Sequence, residues 1–159
     1  MATYKSCKED RLHSLSLATD RDTFITADEG WIDLWNIERT NNVVYNLVDY
    51  DRKKSTPEDM RINSAVFSQN SDNLFLYTTS SGQINLCDLR ERSDFHEYSS
   101  LTFVNPKSNH TTHMQSVSEA KFVPGSQNIV SRDLMTVKLW DLRSASSAHD
   151  TKHKPLYTA

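Results

Sequence analysis

The side chains best suited to chemistry in this 159-residue chain are two histidine pairs, His110 with His113 and His149 with His153, and two carboxylate pairs, Asp28 with Glu29 and Glu58 with Asp59. The histidine spacings could bring two metal ligands together. Neither pair has a third ligand nearby or a segment of helical periodicity to display it, so no metal site is expected. Ser, His and Asp are plentiful, yet no strained Gly-x-Ser-x-Gly elbow occurs, and three glycines leave no phosphate-cradling loop. The sequence therefore offers no catalytic residue and no cofactor site, and it reads as a non-enzyme. Arg52, Lys53 and Lys54 lie beside Asp49 and Asp51, the pattern of a solvated loop. The carboxylate pairs remain. An acidic pair on a turn selects basic partners by charge complementarity, whereas a lone turn aspartate commonly satisfies its own backbone amides.

Charge and composition narrow the partners. A net charge of -3 gives no basic surface for displacing counterions from nucleic acid or an anionic membrane, so neither is expected. Cys7 and Cys87 are far apart and unlike in context, which suggests two reduced thiols. No apolar run approaches the roughly 20 residues of a membrane span, and residues 1–11 lack a signal-peptide core. These features imply a soluble cytoplasmic protein, with the nucleus also open to it.

What positions the carboxylates is a repeat. TADEGWIDLWNI (residues 26–37) aligns without a gap on TTSSGQINLCDL (78–89) and on SRDLMTVKLWDL (131–142). The anchors Trp35, Cys87 and Trp140 are 52 and 53 residues apart. Each copy has a small hydroxyl residue, a polar turn, and an alternating apolar strand closed by Trp or Cys and then Asn or Asp. In residues 31–35 and 83–87, Ile32 with Leu34 and Ile84 with Leu86 point one way while Trp35 and Cys87 point the other, so both faces are expected to be buried. Upstream strands are expected at 15–17, 64–67 and 119–122, followed by 24–26, 74–78 and 129–131, with fourth strands near 43–47 and 101–104. Thr26, Thr78 and Ser131 share one place in this alignment and are expected to hydrogen-bond within their units.

Repeats of three or four antiparallel strands ending in Trp-Asp are the signature of WD-repeat β-propeller blades. The fold class is therefore all-β: about three four-stranded antiparallel blades, forming an open arc over residues 1–143, with units at about 11–48, 62–104 and 117–143. Residues 144–159 lack apolar periodicity and are expected to be a flexible tail. The period exceeds the usual 40–45 residues by roughly ten, which places the excess in loops 49–61 and 90–115.

Residues 13–16, 20–29, 32–38, 48–49, 82–90, 117–122 and 131–142 together resemble the B-type WD-repeat regulatory subunits of protein phosphatase 2A, over about residues 11–142. The resemblance implies a seven-bladed propeller that binds the phosphatase scaffold and catalytic subunits and recruits phosphorylated protein substrates. About three middle blades are present here, and the early blades and hairpin that engage the scaffold are not. The resemblance further implies that the turn at Asp28 and Glu29 and the loop at Glu58, Asp59 and Arg61 contact substrates, on a rim shared with Arg132 and Asp133. Glu58 stands where the family carries leucine, and Asn109 with His110 where it carries two aromatics. Each lost anchor costs an interface about 1–2 kcal/mol or more.

An arc of three blades leaves two end faces without neighbours, and apolar end faces imply self-association or marginal stability. Three readings stay open: a non-catalytic regulatory module selecting phosphatase substrates, a degenerate or truncated fragment without a phosphatase role, and a general protein-interaction scaffold.

Overall fold

The computed structural model describes residues 4, 12–39, 43–50, 60–91, 100–104, 115–144 and 155–158. Its strands form three four-stranded antiparallel sheets, each a meander in chain order. Blade 1 contains β1 (Ser14–Leu17), β2 (Thr23–Ala27), β3 (Trp31–Asn36) and β4 (Tyr45–Asp49). Blade 2 contains β5 (Ile62–Phe67), β6 (Leu74–Thr79), β7 (Gln83–Asp88) and β8 (Leu101–Val104). Blade 3 contains β9 (Glu119–Phe122), β10 (Asn128–Arg132), β11 (Val137–Asp141) and β12 (Tyr157–Thr158), with a 3-10 turn at Leu142–Ser144 after β11. These are the partial propeller blades the repeat implies.

Period-two alternation gives every blade a leading face, toward the preceding unit, and a trailing face, toward the next. In blade 1 the pairs Phe24↔Trp35 and Thr26↔Asp33 lie on the leading face, while Ile25↔Leu34 and Ala27↔Ile32 lie on the trailing face. Two cores fill the gaps between blades. Ile25, Ile32 and Val48 of blade 1 pack on Phe67, Phe75, Tyr77 and Cys87 of blade 2. Leu76, Ile84 and Phe103 of blade 2 pack on Ala120, Ile129 and Trp140 of blade 3. Burying a side chain of this size contributes about 1.5–3 kcal/mol, so the sheets are held face to face mainly by apolar area.

Polar seams fix how the inner strands sit. The Ser14 hydroxyl donates to the Ala65 carbonyl at 2.9 Å and accepts the Ala65 N–H at 3.1 Å, and the Ser16 hydroxyl accepts the Phe67 N–H at 3.0 Å. The β1 side chains thus supply the hydrogen bonds that a neighbouring strand backbone would supply within one sheet. Between blades 2 and 3 the Asn63 amide donates to the Ser116 hydroxyl at 2.9 Å and the Val117 carbonyl at 2.7 Å.

Blade 2 departs from the gapless alignment. Four residues separate the last β2–β3 pair, Ala27↔Ile32, and four separate Arg132↔Val137, but five separate Thr78↔Ile84. The extra residue lies in the turn that ends at Gly82, whose φ of 87° suits glycine. It shifts β6 by one position relative to β7. Cys87 therefore faces Phe75, and Tyr77, rather than Thr78, takes the place of Thr26 and Ser131. Thr26 and Ser131 each accept a hydrogen bond from an indole, Trp35 and Trp140 respectively, at 2.8 Å. Thr78 instead lies 3.1 Å from the Ser64 hydroxyl.

Blade 3 recruits its fourth strand from the expected flexible tail. Lys138↔Thr158 and Leu139↔Tyr157 repeat the register of Asp33↔Asn46 with Leu34↔Tyr45, and of Asn85↔Thr102 with Leu86↔Leu101. A two-residue strand held by backbone pairing has no room for apolar periodicity, so the sequence pattern could not reveal it.

The two ends of the arc differ. On the leading face of blade 1, the Tyr4 ring meets Phe24 and Trp35 edge-on at 5.2 and 5.9 Å, and its hydroxyl donates to the Ile37 carbonyl at 2.7 Å. Trp35 is consequently 1% exposed, although Leu15 and Leu17 on β1 remain open. On the trailing face of blade 3, by contrast, Val137 is 49% and Tyr157 65% exposed.

Candidate partner-binding rim

The β2–β3 and β10–β11 turns are built alike. Asp28 Oδ1 accepts the N–H groups of Gly30 and Trp31 at 2.8 and 2.9 Å, and Asp133 Oδ1 accepts those of Met135 and Thr136 at 2.9 and 2.7 Å. A short acidic side chain bonding two and three residues ahead closes a tight turn. Asp28 is 1% exposed, and the Asp133 side chain also receives the Lys138 ammonium and the Thr136 hydroxyl. Both carboxylates are thus spent on holding their turns. In blade 2 the longer turn uses Thr79, whose hydroxyl accepts the Gln83 N–H at 3.2 Å.

Glu29 points outward. Its carboxylate meets the Arg61 guanidinium at 3.0 Å, with both side chains about three-fifths exposed, and its carbonyl accepts the Ile62 N–H at 2.9 Å. The Arg61 backbone is held from the other side: its N–H donates to the Ser80 hydroxyl at 2.9 Å, and its carbonyl accepts the Ser80 N–H at 2.8 Å. Glu29, Arg61 and Ser80 therefore form a bridge from the turn of blade 1 to that of blade 2. Its exposed ion pair is a weak contributor to stability and is open to exchange with a charged partner.

Arg132 lies on blade 3's trailing face instead of joining this group. Its Nε donates to Glu119 at 3.1 Å while Lys121 meets the same carboxylate at 3.0 Å. Hydrogen bonds from Lys121, then Arg132, hold the Glu119 carboxyl below its usual range. Of the seven residues singled out from sequence, the fold thus joins Glu29 with Arg61, buries Asp28 and the Asp133 side chain, and turns Arg132 to another face. Glu58 and Asp59 lie outside the described residues, as do Asn109, His110, His113, His149 and His153.

Three contributors were not singled out: Ser80, which fixes Arg61; Tyr4, which covers Trp35; and Glu119, which organises the charges of blade 3. Only Glu119 left a signal, as an acidic residue two positions from Lys121 on an alternating strand.

No family profile matches the chain. It is 34% identical over 155 residues to the phosphatase 2A regulatory subunit sur-6 of Caenorhabditis elegans, covering 93% of this chain and 30% of that protein. The B alpha isoform of the 55 kDa phosphatase 2A regulatory subunit from Arabidopsis thaliana is 36% identical over 143 residues, covering 87% and 28% respectively. The corresponding B beta isoform from Carassius auratus is 33% identical over 147 residues, covering 88% and 32%. The chain spans about 30% of the length of the curated relatives it matches. Three successive blades with this degree of identity make the chain a partial B-type regulatory-subunit homologue of protein phosphatase 2A.

Proposed function

We propose that the chain acts as a non-catalytic regulatory module of a serine/threonine phosphatase, selecting phosphoprotein substrates through its rim and associating with the phosphatase scaffold and catalytic subunits. The observation that carries this reading is the homology to named regulatory subunits across most of the chain. The exposed Glu29–Arg61 bridge gives the rim a local chemistry suited to the work. A basic residue of a substrate can compete for Glu29 and an acidic or phosphorylated one for Arg61, so one bridge reads both signs of charge. The setting is the cytoplasm, with the nucleus open to it.

Reconstitution tests the proposal. The purified chain should be retained by an immobilised scaffold–catalytic dimer, and it should change dephosphorylation of phosphopeptides bearing flanking basic residues more than of peptides lacking them. Neither retention nor a change in peptide preference would overturn the reading in favour of an interaction scaffold without a phosphatase role.

A further inference from the structure

We propose that the junction of blades 2 and 3 carries a binding site for an acidic peptide segment, on the rim opposite the Glu29–Arg61 bridge. On this rim each blade's first strand turns into its second, and its third strand ends. Adjacent blades meet there through their first turns, and the two junctions differ. Between blades 1 and 2 the Thr19 hydroxyl donates to the Asp72 carboxylate, which ties the turns together side chain to side chain. Between blades 2 and 3 the Asn70 amide reaches the Ser126 carbonyl only at 3.5 Å, the outer limit of such a bond. At that loose contact lies a cavity of about 560 Å³, lined by Asn70 of blade 2 and by Gly125, Ser126, Gln127, Asn128 and Arg143 of blade 3. Its walls thus belong to two blades that pack on each other.

The lining selects an anion. Among the described residues that form it there is no carboxylate, and the one charged group is Arg143. Asp141 holds that guanidinium through Nε at 3.2 Å and Nη2 at 3.3 Å, which fixes its plane. The grip uses one edge of the planar fork, and the Nη1 edge is left to take a second oxyanion, a carboxylate or a phosphate. With the Arg143 side chain 73% exposed, that edge is accessible.

The carboxamides select a peptide. Asn70, Gln127 and Asn128 each carry a donor and an acceptor, the same pair that a peptide unit presents, and no apolar side chain among the described lining residues receives a hydrophobic guest. The turn beneath them is fixed from within. The Ser126 hydroxyl donates to the Val123 carbonyl at 3.1 Å and accepts the Asn128 N–H at 3.2 Å. Gly125, at a φ of 69°, leaves the outer side open, and a Cβ there would meet nothing within 4 Å. At about 30 Å³ per water the cavity has the volume of roughly 19 waters, far more than a lone ion needs.

Fluorescence anisotropy with the full chain tests this inference, independently of any phosphatase role. The probes are a labelled hexapeptide bearing two glutamates, its phosphoserine counterpart and its glutamine counterpart. The anionic peptides are expected to bind in the micromolar range, and the glutamine peptide at least about tenfold more weakly. Tighter binding of the phosphoserine or of the glutamate peptide would support the site and identify its anion as phosphate or carboxylate. Arg143→Gln should weaken binding about tenfold and Gln127→Ala about threefold, both being changes of exposed side chains. Arg90→Gln should leave it unchanged, because Arg90 has the same pairing, with Asp88, but does not line the cavity. On binding, backbone amide NMR signals should shift at Asn70 and at residues 125–128. Equal binding of the glutamine peptide, equal effects of Arg143→Gln and Arg90→Gln, or shifts confined to Glu29, Arg61 and Ser80 would overturn the proposal.

Discussion

The Tyr77 hydroxyl stands 3.3 Å from that of Tyr50, joining the second strand of blade 2 to the outer end of blade 1. This contact replaces one that the other blades make internally. Where blades 1 and 3 set a small hydroxyl residue beneath a tryptophan, blade 2 sets a large phenol beside a small thiol. The exchange approximately conserves volume in the core between blades, which tolerates such swaps better than net gains or losses.

Restoring the repeat motif should therefore harm the protein. Cys87→Trp adds an indole to space that Tyr77 and Phe75 already fill, and is expected to cost about 1–3 kcal/mol by overpacking. Tyr77→Thr alone should cost about 3–5 kcal/mol through the cavity it leaves. Combined, the two should cost less than their sum, as urea unfolding of the four proteins in a double-mutant cycle would show. Additive losses would mean that the two side chains do not share one space.

The hydrogen bonds beneath the tryptophans give a second expectation. Thr26→Val keeps the shape of the side chain but leaves the buried Trp35 indole without its Thr26 acceptor, at a cost of about 1–3 kcal/mol. Ser131→Ala should act similarly on Trp140, whereas Thr78→Val should cost less, because Thr78 meets the part-buried Ser64 hydroxyl rather than a buried indole. Equal losses at all three sites would contradict the register found in blade 2.

Alkaline pH should loosen the junction of blades 1 and 2. Burial pushes the Tyr77 phenol well above its ordinary value of 10.0, and raises Tyr50 and the Cys87 thiol above 10.0 and 9.0. In that range the unfolded chain loses protons that the folded chain retains. The folded state thus binds more protons, and stability falls as pH rises above about 9. Urea midpoints measured between pH 7 and pH 11 should decline beyond pH 9, and Tyr77→Phe should flatten the decline. An unchanged slope in that variant would remove Tyr77 from the account.

How much of this was legible in the sequence depended on the carrier of each signal. The long alternating strands announced themselves because Ile32 and Leu34 face the core shared with blade 2 while Trp35 is buried on the opposite face, so that apolar residues occupy both faces of the strand. The register of blade 2 did not, because small polar turn residues absorb an insertion without disturbing a gapless alignment, and Thr78 looks as suitable as Thr26. Strand β12 was hidden because it depends on pairing with β11, distant in sequence. The acidic turn was seen, but the same two letters serve a turn cap or a partner contact. Burial decides which, and burial is a property of the assembled arc.

That division between Asp28 and Glu29 yields the last prediction. Asp28→Ala strips two turn amides of their acceptor at a buried position, and should destabilise the chain by about 1–3 kcal/mol, lowering partner binding only through the fold. Glu29→Lys breaks an exposed ion pair and should change stability by no more than about 0.5 kcal/mol. It also sets two cations side by side on the rim, which should repel basic substrate segments and slow their association. Urea unfolding of both variants, with association rates for a basic phosphopeptide measured at low and high salt, separates the two roles. A Glu29→Lys protein that binds as fast as the parent at low salt would move the substrate-reading surface away from this bridge.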